Sequence, residues 1–281
     1  YVLLGVILNV FLDWYTIFKL NWGIVGAGLA TSFSQTVVII IYLIHFAGRK
    51  ATLRFTRFKL RRGLMLRQFM SGIPSGITEM SPGIVTFIFN RFIVTFMHDR
   101  ELIIYSILSY VILLATVLAN GIAQGAQPLV SYYHGRHERD TFHTIFGYEI
   151  RSGLILAVLE IAVVLVFGNY IAMLFVNDGD ALILEVTYAL RLIALAFPML
   201  SINIIIAGYL TALERSRVAV IISLIRCTLT LLLSLALIAT ILGVSNVWLS
   251  LAVSEMLSMI AAVLLYRKTR RVAIAETFDD M

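Results

Sequence analysis

The sequence predicts an all-α, polytopic membrane protein, and three observations carry that prediction. Hydrophobic side chains make up 60% of the 281 residues and charged ones only 14%, giving a mean hydropathy of +0.94. That leaves too little polar surface to coat a water-soluble globule of this length. The apolar residues fall in runs much longer than the roughly ten-residue alternating segments of a membrane barrel, so helices are the spanning form. The basic residues, in contrast, gather in one long linker and a few short loops.

Eight spans are predicted, at residues 1–19, 23–46, 72–97, 102–133, 143–168, 181–212, 217–242 and 246–267. Most exceed the ~20 residues needed to cross a bilayer, which allows tilt or extension beyond it. The opening residues, Tyr1-Val-Leu-Leu-Gly, read as the inside of a helix and not as a signal peptide. Between the second and third spans lies the linker, residues 49–71. It carries Arg49, Lys50, Arg54, Arg57, Lys59, Arg61, Arg62 and Arg67 and no acidic residue. Cationic segments between membrane helices stay in the cytoplasm, so the linker orients the chain. Alternation then puts 16 of the 22 lysines and arginines on the linker's side and only Lys19 and Arg100 on the other, with Arg91, Arg151, Arg191 and Arg226 inside spans. The expected location is a cytoplasmic (inner) membrane with linker and C-terminus cytoplasmic. Trp22 and Trp248 are expected at the outer interface, where indoles prefer to lie.

The same charge pattern accounts for the net charge of +6 as an orientation signal, so no nucleic-acid partner is implied. The lone cysteine, Cys227, lies in an apolar run and supports neither a disulfide framework nor a thiolate metal site within one chain. No cofactor is implied, and a monomer is expected.

A weak internal repeat organises the chain further. A shift of 220 residues lays Gly23-Ile-Val-Gly-Ala-Gly-Leu-Ala-Thr-Ser-Phe-Ser-Gln35 over Gly243-Val-Ser-Asn-Val-Trp-Leu-Ser-Leu-Ala-Val-Ser-Glu255. Gly23/Gly243, Leu29/Leu249 and Ser34/Ser254 match, and Gln35 faces Glu255. The competing explanation is chance likeness between two apolar helices. Taken as a parallel repeat, it predicts about four further helices upstream and a complete molecule of twelve helices in two six-helix lobes. Residues 1–48 are then the last two helices of the N-terminal lobe, 72–268 the C-terminal lobe and 269–281 a cytoplasmic tail.

Several of these segments resemble the multidrug and toxic compound extrusion (MATE) family. Asn9-Val-Phe-Leu-Asp13 with Ile17, followed by Gly23-Ile-Val-Gly-Ala-Gly-Leu-Ala-Thr31 with Gln35, is similar to the family's fifth and sixth helices. Gly72-Ile-Pro-Ser and Asn90 resemble the seventh, and Arg226 in Ser-Leu-Ile-Arg the eleventh. The most specific match is Asn120-Gly-Ile-Ala-Gln-Gly-Ala-Gln-Pro128 with Ser131 and Gly135, similar to the end of the eighth. The resemblance implies helices five to twelve of a secondary transporter, not an enzyme. It implies exchange of small, amphipathic, often cationic organic compounds for protons or sodium ions. A lipid or lipid-linked-sugar flippase of the same broad architecture is the alternative.

Polar residues inside spans are the candidates for that work. Asn9 and Asp13 are four apart and share a helix face. At 1.5 Å per residue they lie ~15 and ~9 Å below Lys19, and Thr31 on the returning helix ~15 Å below Asn21, so the three are expected to meet. A carboxylate in the membrane costs ~2.5–3.5 kcal/mol on insertion scales and is retained with a partner or a task. Oxygens of carboxylate, amide and hydroxyl suit a hard cation. By resemblance, Asn9, Asp13 and Thr31 match the N-lobe cation site of some family members; the plainer reading is an Asn/Asp pair that joins helices.

In the C-terminal lobe, Glu79 lies ~10 Å inside its span beside Ser81-Pro82-Gly83, where proline frees a carbonyl. Arg191, Arg226 and Glu255 each sit ~14 Å from a span end, so Glu255 is expected to pair with one of the two arginines. Glu79, Arg226 and Glu255 together form the candidate C-lobe polar site, with a structural bridge as the plainer reading. Where some family members carry an acid in the tenth helix, this chain has Ser201 and Asn203.

The other conspicuous residues read more plainly. Glu149 and Arg151 are expected to snorkel from a helix end. Glu160 and Glu185 point to an outer vestibule, and His134, His137 and His143 to solvated loop positions in preference to a metal tract. Phe87, Phe89, Phe92 and Tyr110 are candidates for lining an adaptable cavity. Gly121, Gly125 and Pro128 suggest close packing and a helix bend.

Overall fold

The computed structural model describes residues 2–48, 61–176 and 181–279. Most of the basic linker, residues 49–60, and the tail side chains from 270 onward lie outside the described residues. The chain divides into two compact units, Tyr1–Leu64 and Met65–Met281.

The first unit is a helical hairpin. Helix α1 (Val2–Trp14) runs on into a wide π-helical segment, Tyr15–Lys19, and packs along α2 (Gly23–Ala47). The turn between them needs left-handed backbone, supplied by Asn21 (φ 55°) and Gly23 (φ 53°). Small residues let the two helices approach. A Cβ on Gly5 would collide with Val38, and one on Gly26 would sit 3.0 Å from Thr16 Cβ.

The second unit is built from α3 (Arg62–Phe96, its first three residues belonging to the first unit), α4 (Asp99–Gly135), α5 (Arg139–Met173), α6 (Leu182–Ala194), α7 (Phe197–Ala212), α8 (Ser216–Leu224), α9 (Thr230–Ile241) and α10 (Leu249–Asp279). Helix α4 packs against α5, α6 and α7, and α7 against α5, α8 and α10, so α4 and α7 form the middle of the bundle. Leu108, Leu190, Ile193 and Phe197 are fully buried where these helices meet. Phe89 of α3 stacks on Tyr105 of α4 with ring centres 4.8 Å apart. Gly153 of α5 takes the Ile205 side chain against its backbone, and a Cβ on Gly208 of α7 would lie 3.0 Å from Ala123 Cβ.

Among the described residues six helices are long and apolar enough to cross a membrane, and seven if α6 and α7, bent by 45° to one another, form one broken span. The bend has a local cause, since Pro198 in the first turn of α7 cannot donate to the carbonyl of Ala194. The expected span at 72–97 is not among the seven. Helix α3 is long enough, at 35 residues, but carries Glu79, Asn90 and Arg91, of which Glu79 and Arg91 line pockets. It also begins ten residues before the expected span, at Arg62, so the end of the predicted linker is helix. Helix α10 likewise runs through the predicted tail to Asp279.

Two expectations are corrected here. Trp248 is not an interface anchor but a buried core residue, 4% exposed, whereas Trp22 is exposed. Gly121 and Gly125 face open space among the described residues, so the close packing falls to Gly153 and Gly208 instead. The repeat has a backbone counterpart, because Gly243, like Gly23, has positive φ (81°). The second copy then inserts a 3-10 turn, Val244–Asn246, before α10 begins.

Candidate functional site

In the first unit, the shared face of α1 brings Asn9 to α2, where its Nδ2 donates to Thr31 Oγ1 at 3.4 Å. Thr31 in turn donates to the carbonyl of Ala27 at 3.0 Å. Asp13 lies one turn beyond Asn9 on the same face. It is half-buried, and its Oδ1 is buried with no hydrogen-bond donor among the described residues. The π-helical segment starts two residues later, and Thr16 caps the loosened turn by donating to the carbonyl of Leu12 at 2.9 Å. The result is an amide–hydroxyl bridge and, one turn along the same face of α1, a carboxylate oxygen with no donor among the described residues, groups of the hard-oxygen kind.

The second unit holds a cavity of about 330 Å³ bounded by α3, α4, α6, α7, α9 and α10 together with the segment 225–229. Its walls are mostly apolar or aromatic, including Tyr105, Tyr110, Phe197 and Leu200. One ion pair interrupts them. Arg226 Nε donates to both oxygens of Glu255, at 2.8 and 3.0 Å, and Asn203 Nδ2 donates to Glu255 Oε2 at 2.7 Å and to its backbone carbonyl at 3.0 Å. The side chains of Arg226 and Glu255 are 15% and 12% exposed, low enough that mutual attraction and hydrogen bonding must offset desolvation. Arg226 sits in a second π-helical segment, Ile225–Leu229, whose carbonyls at Ile225 and Arg226 accept from Thr230 Oγ1 at 3.1 and 3.2 Å. Thr230 also meets Ser254 Oγ at 3.1 Å, tying α9 to α10 one residue before Glu255.

The pair expected for Glu255 is therefore present, with Arg226 as its partner and not the exposed Arg191. Glu79 does not join it. Its carboxylate lines a neighbouring pocket of about 80 Å³ with Gln124, Gln127 and Thr211, and only Asn120 and Ile204 border both spaces. The grouping of Glu79, Arg226 and Glu255 as one site thus separates into an ion pair and a distinct polar niche. Asn203, which looked like a replacement for an acid, is instead the second donor to Glu255.

Several plainer readings also change. Glu149 does not snorkel. It is 4% exposed, ten residues inside α5, and neither carboxylate oxygen has a donor among the described residues. Both oxygens of Glu160 are buried likewise, while Glu185 pairs with Arg100 at 3.0 Å on the surface. His134, His137 and His143 line a pocket with Arg139 and Arg215, where His143 Nδ1 meets the Tyr209 hydroxyl at 3.0 Å. Of the aromatic candidates, Tyr110 lines the cavity that holds the ion pair, Phe89 is core, and Phe87 and Phe92 border a separate groove with Arg91.

Comparison with known proteins agrees with this architecture. The chain is 25% identical over 270 residues to the multidrug export protein MepA of Staphylococcus haemolyticus, covering 95% of this chain and 59% of that protein. MepA of Staphylococcus saprophyticus is 21% identical, with 94% and 58% covered. The chain thus spans about three-fifths of the length of the curated relatives it matches. Among solved structures, a MATE protein in complex with MaL6 superposes with a TM-score of 0.87 at 20% identity, covering 97% of this chain and 62% of that one. The outward-facing conformation of a multidrug resistance MATE family transporter of the MOP superfamily gives 0.86 at 22%, with the same coverage. At those identities the structural likeness establishes the fold. The MatE family model matches residues 74–236, more than half of the chain, and on that match the chain belongs to the MatE family of membrane transporters.

Proposed function

We propose that the complete protein is a secondary antiporter that exports small amphipathic organic compounds across the cytoplasmic membrane in exchange for protons or sodium ions. The observation that carries this reading is Asp13 Oδ1, buried in a membrane hairpin with no donor among the described residues and one helical turn from Asn9, which bridges to Thr31. An acid kept in the membrane without a neutralising partner is poised to take up a cation reversibly. Binding there from outside would neutralise the carboxylate and favour a different arrangement of α1 and α2. Substrate would stabilise the opposite state, which is the condition for reciprocal coupling. The relatives described as multidrug export proteins support the direction and substrate class.

The test is dye efflux from vesicles containing the full-length protein, under separately imposed proton and sodium gradients. Asp13→Asn keeps the shape of the side chain and removes the exchangeable charge. Ion-driven efflux is expected to disappear while the protein stays folded. Undiminished efflux would refute the role of Asp13.

A further inference from the structure

The end of the second unit that carries the short basic loops holds a second sizeable cavity, of about 320 Å³. Among the described residues it shares no lining side chain with the cavity of Arg226 and Glu255 or with the niche of Glu79. Three parts of the chain build it: the α4–α5 turn with the start of α5, the end of α7 with the turn into α8, and α10 at Tyr266 and Thr269. Each turn passes through a non-glycine residue in left-handed backbone, His137 (φ 60°) and Glu214 (φ 59°), and each is followed by an arginine, Arg139 and Arg215. Both arginines line the cavity, together with His134, His137 and His143. Asp140 is the one acid on the described wall, so the lining is cationic before any histidine is protonated. Of the other acids nearby, Glu138 lies outside the lining and pairs with Arg136 at 2.8 Å, and Glu214 is exposed.

The rest of the wall is aromatic and apolar, and it positions two of the imidazoles. The Tyr209 hydroxyl lies 3.0 Å from His143 Nδ1, and the His134 ring stands edge-on to Phe142 with centres 5.6 Å apart. Guanidinium groups bind phosphate oxygens through paired N–H donors, and imidazole N–H groups add single ones. We infer that this cavity is a binding site for a phosphate group, held by Arg139 and Arg215 with the histidines as further donors. The source it fits is an anionic phospholipid of the cytoplasmic leaflet. The cavity lies where the apolar bundle gives way to the loops that the charge pattern assigns to the cytoplasm, the depth of lipid headgroups. Half-buried Leu213 and Tyr266 also offer apolar surface to the glycerol and first methylenes of a lipid, which a free phosphate does not need.

The experiment is native mass spectrometry of the purified full-length protein in detergent, titrated with dioleoylphosphatidylglycerol, with dioleoylphosphatidylcholine and with inorganic phosphate. Wild type is expected to hold its first phosphatidylglycerol about tenfold more tightly than phosphatidylcholine, the scale of charge-assisted hydrogen bonds. Arg139→Gln combined with Arg215→Gln is expected to erase that preference. Arg217→Gln combined with Arg267→Gln removes the same charge from exposed residues outside the lining and is expected to keep it. Leu213→Trp, which fills the cavity at constant charge, is expected to weaken phosphatidylglycerol binding and serves if the Arg139 and Arg215 variant does not fold. Inorganic phosphate is expected to displace the lipid only in large excess. Absence of a preference in wild type, a preference that survives loss of Arg139 and Arg215, equal loss in both arginine pairs, or binding untouched by Leu213→Trp would each overturn the site. Displacement by inorganic phosphate at a concentration equal to that of the lipid would overturn the lipid as its source.

Discussion

Removing Arg226 should be more damaging to stability than neutralising Glu255, and the asymmetry can be worked from the geometry. In Arg226→Met the Glu255 carboxylate, on a residue 9% exposed, keeps Asn203 as its one side-chain donor among the described residues. Stranding a buried charge in this way costs about 3–5 kcal/mol. In Glu255→Gln the uncompensated group is Arg226, a residue that lines the cavity and can be hydrated from it, so the loss is nearer to one charged hydrogen bond, about 2 kcal/mol. In Arg226→Met with Glu255→Gln no charge is stranded, and the double variant should lose less than the sum of the singles by about 2 kcal/mol or more. The assay is reversible unfolding of the full-length protein in mixed micelles with a denaturing detergent, run as a double-mutant cycle. Single losses that add to within about 0.5 kcal/mol, or a Glu255 variant weaker than the Arg226 variant, would refute the argument that the two groups form one desolvated unit.

The remaining predictions use the same measurement. Glu149→Leu should raise stability by about 1–4 kcal/mol, since it replaces a buried carboxylate with no donor among the described residues by an apolar side chain of similar size; a loss would mean that Glu149 has a further partner. Gly208→Val should cost about 1–3 kcal/mol by forcing α7 away from Ala123 of α4. Glu185→Ala should change stability by less than about 1 kcal/mol, because its pair with Arg100 is half exposed at both ends.

What the sequence discloses about this fold is mostly what depends on length along a helix. Rise per residue puts Arg191, Arg226 and Glu255 at similar depth, and depth alone is enough to expect a pair. It cannot choose between the arginines, because the choice depends on rotation about the axis and on which helices are neighbours. Glu149 shows the sensitivity of such reasoning to a boundary. Counted from an expected span start at 143 it is near a helix end, but α5 begins at Arg139, and the same residue is buried. Trp248 and the pair Gly121 and Gly125 fail for a related reason, since an indole's liking for the interface and a glycine's tolerance of close approach say nothing about which side of a helix meets another. Gly153 and Gly208 carry the same signal in sequence as Gly121 and Gly125.

The two π-helical segments are the feature with least trace in the periodicity and the most consequence for the sites. A wide turn inserts an extra residue into the helical count, so every side chain beyond it is rotated relative to a 3.6-residue reading. Asp13 lies two residues before one such turn and Arg226 lies in the other. Both turns release backbone carbonyls inside an apolar protein, and a threonine answers each time: Thr16 donates to Leu12, and Thr230 to Ile225 and Arg226. The charged residue and its threonine are three apart in the first case and four in the second, a spacing that places both on one face. The threonine's hydroxyl satisfies backbone that the widened turn exposes, which leaves the carboxylate of Asp13 and the Nη groups of Arg226 uncommitted to their own helices. Helix widening and the availability of the charged groups are thus one structural device used twice, once in each unit.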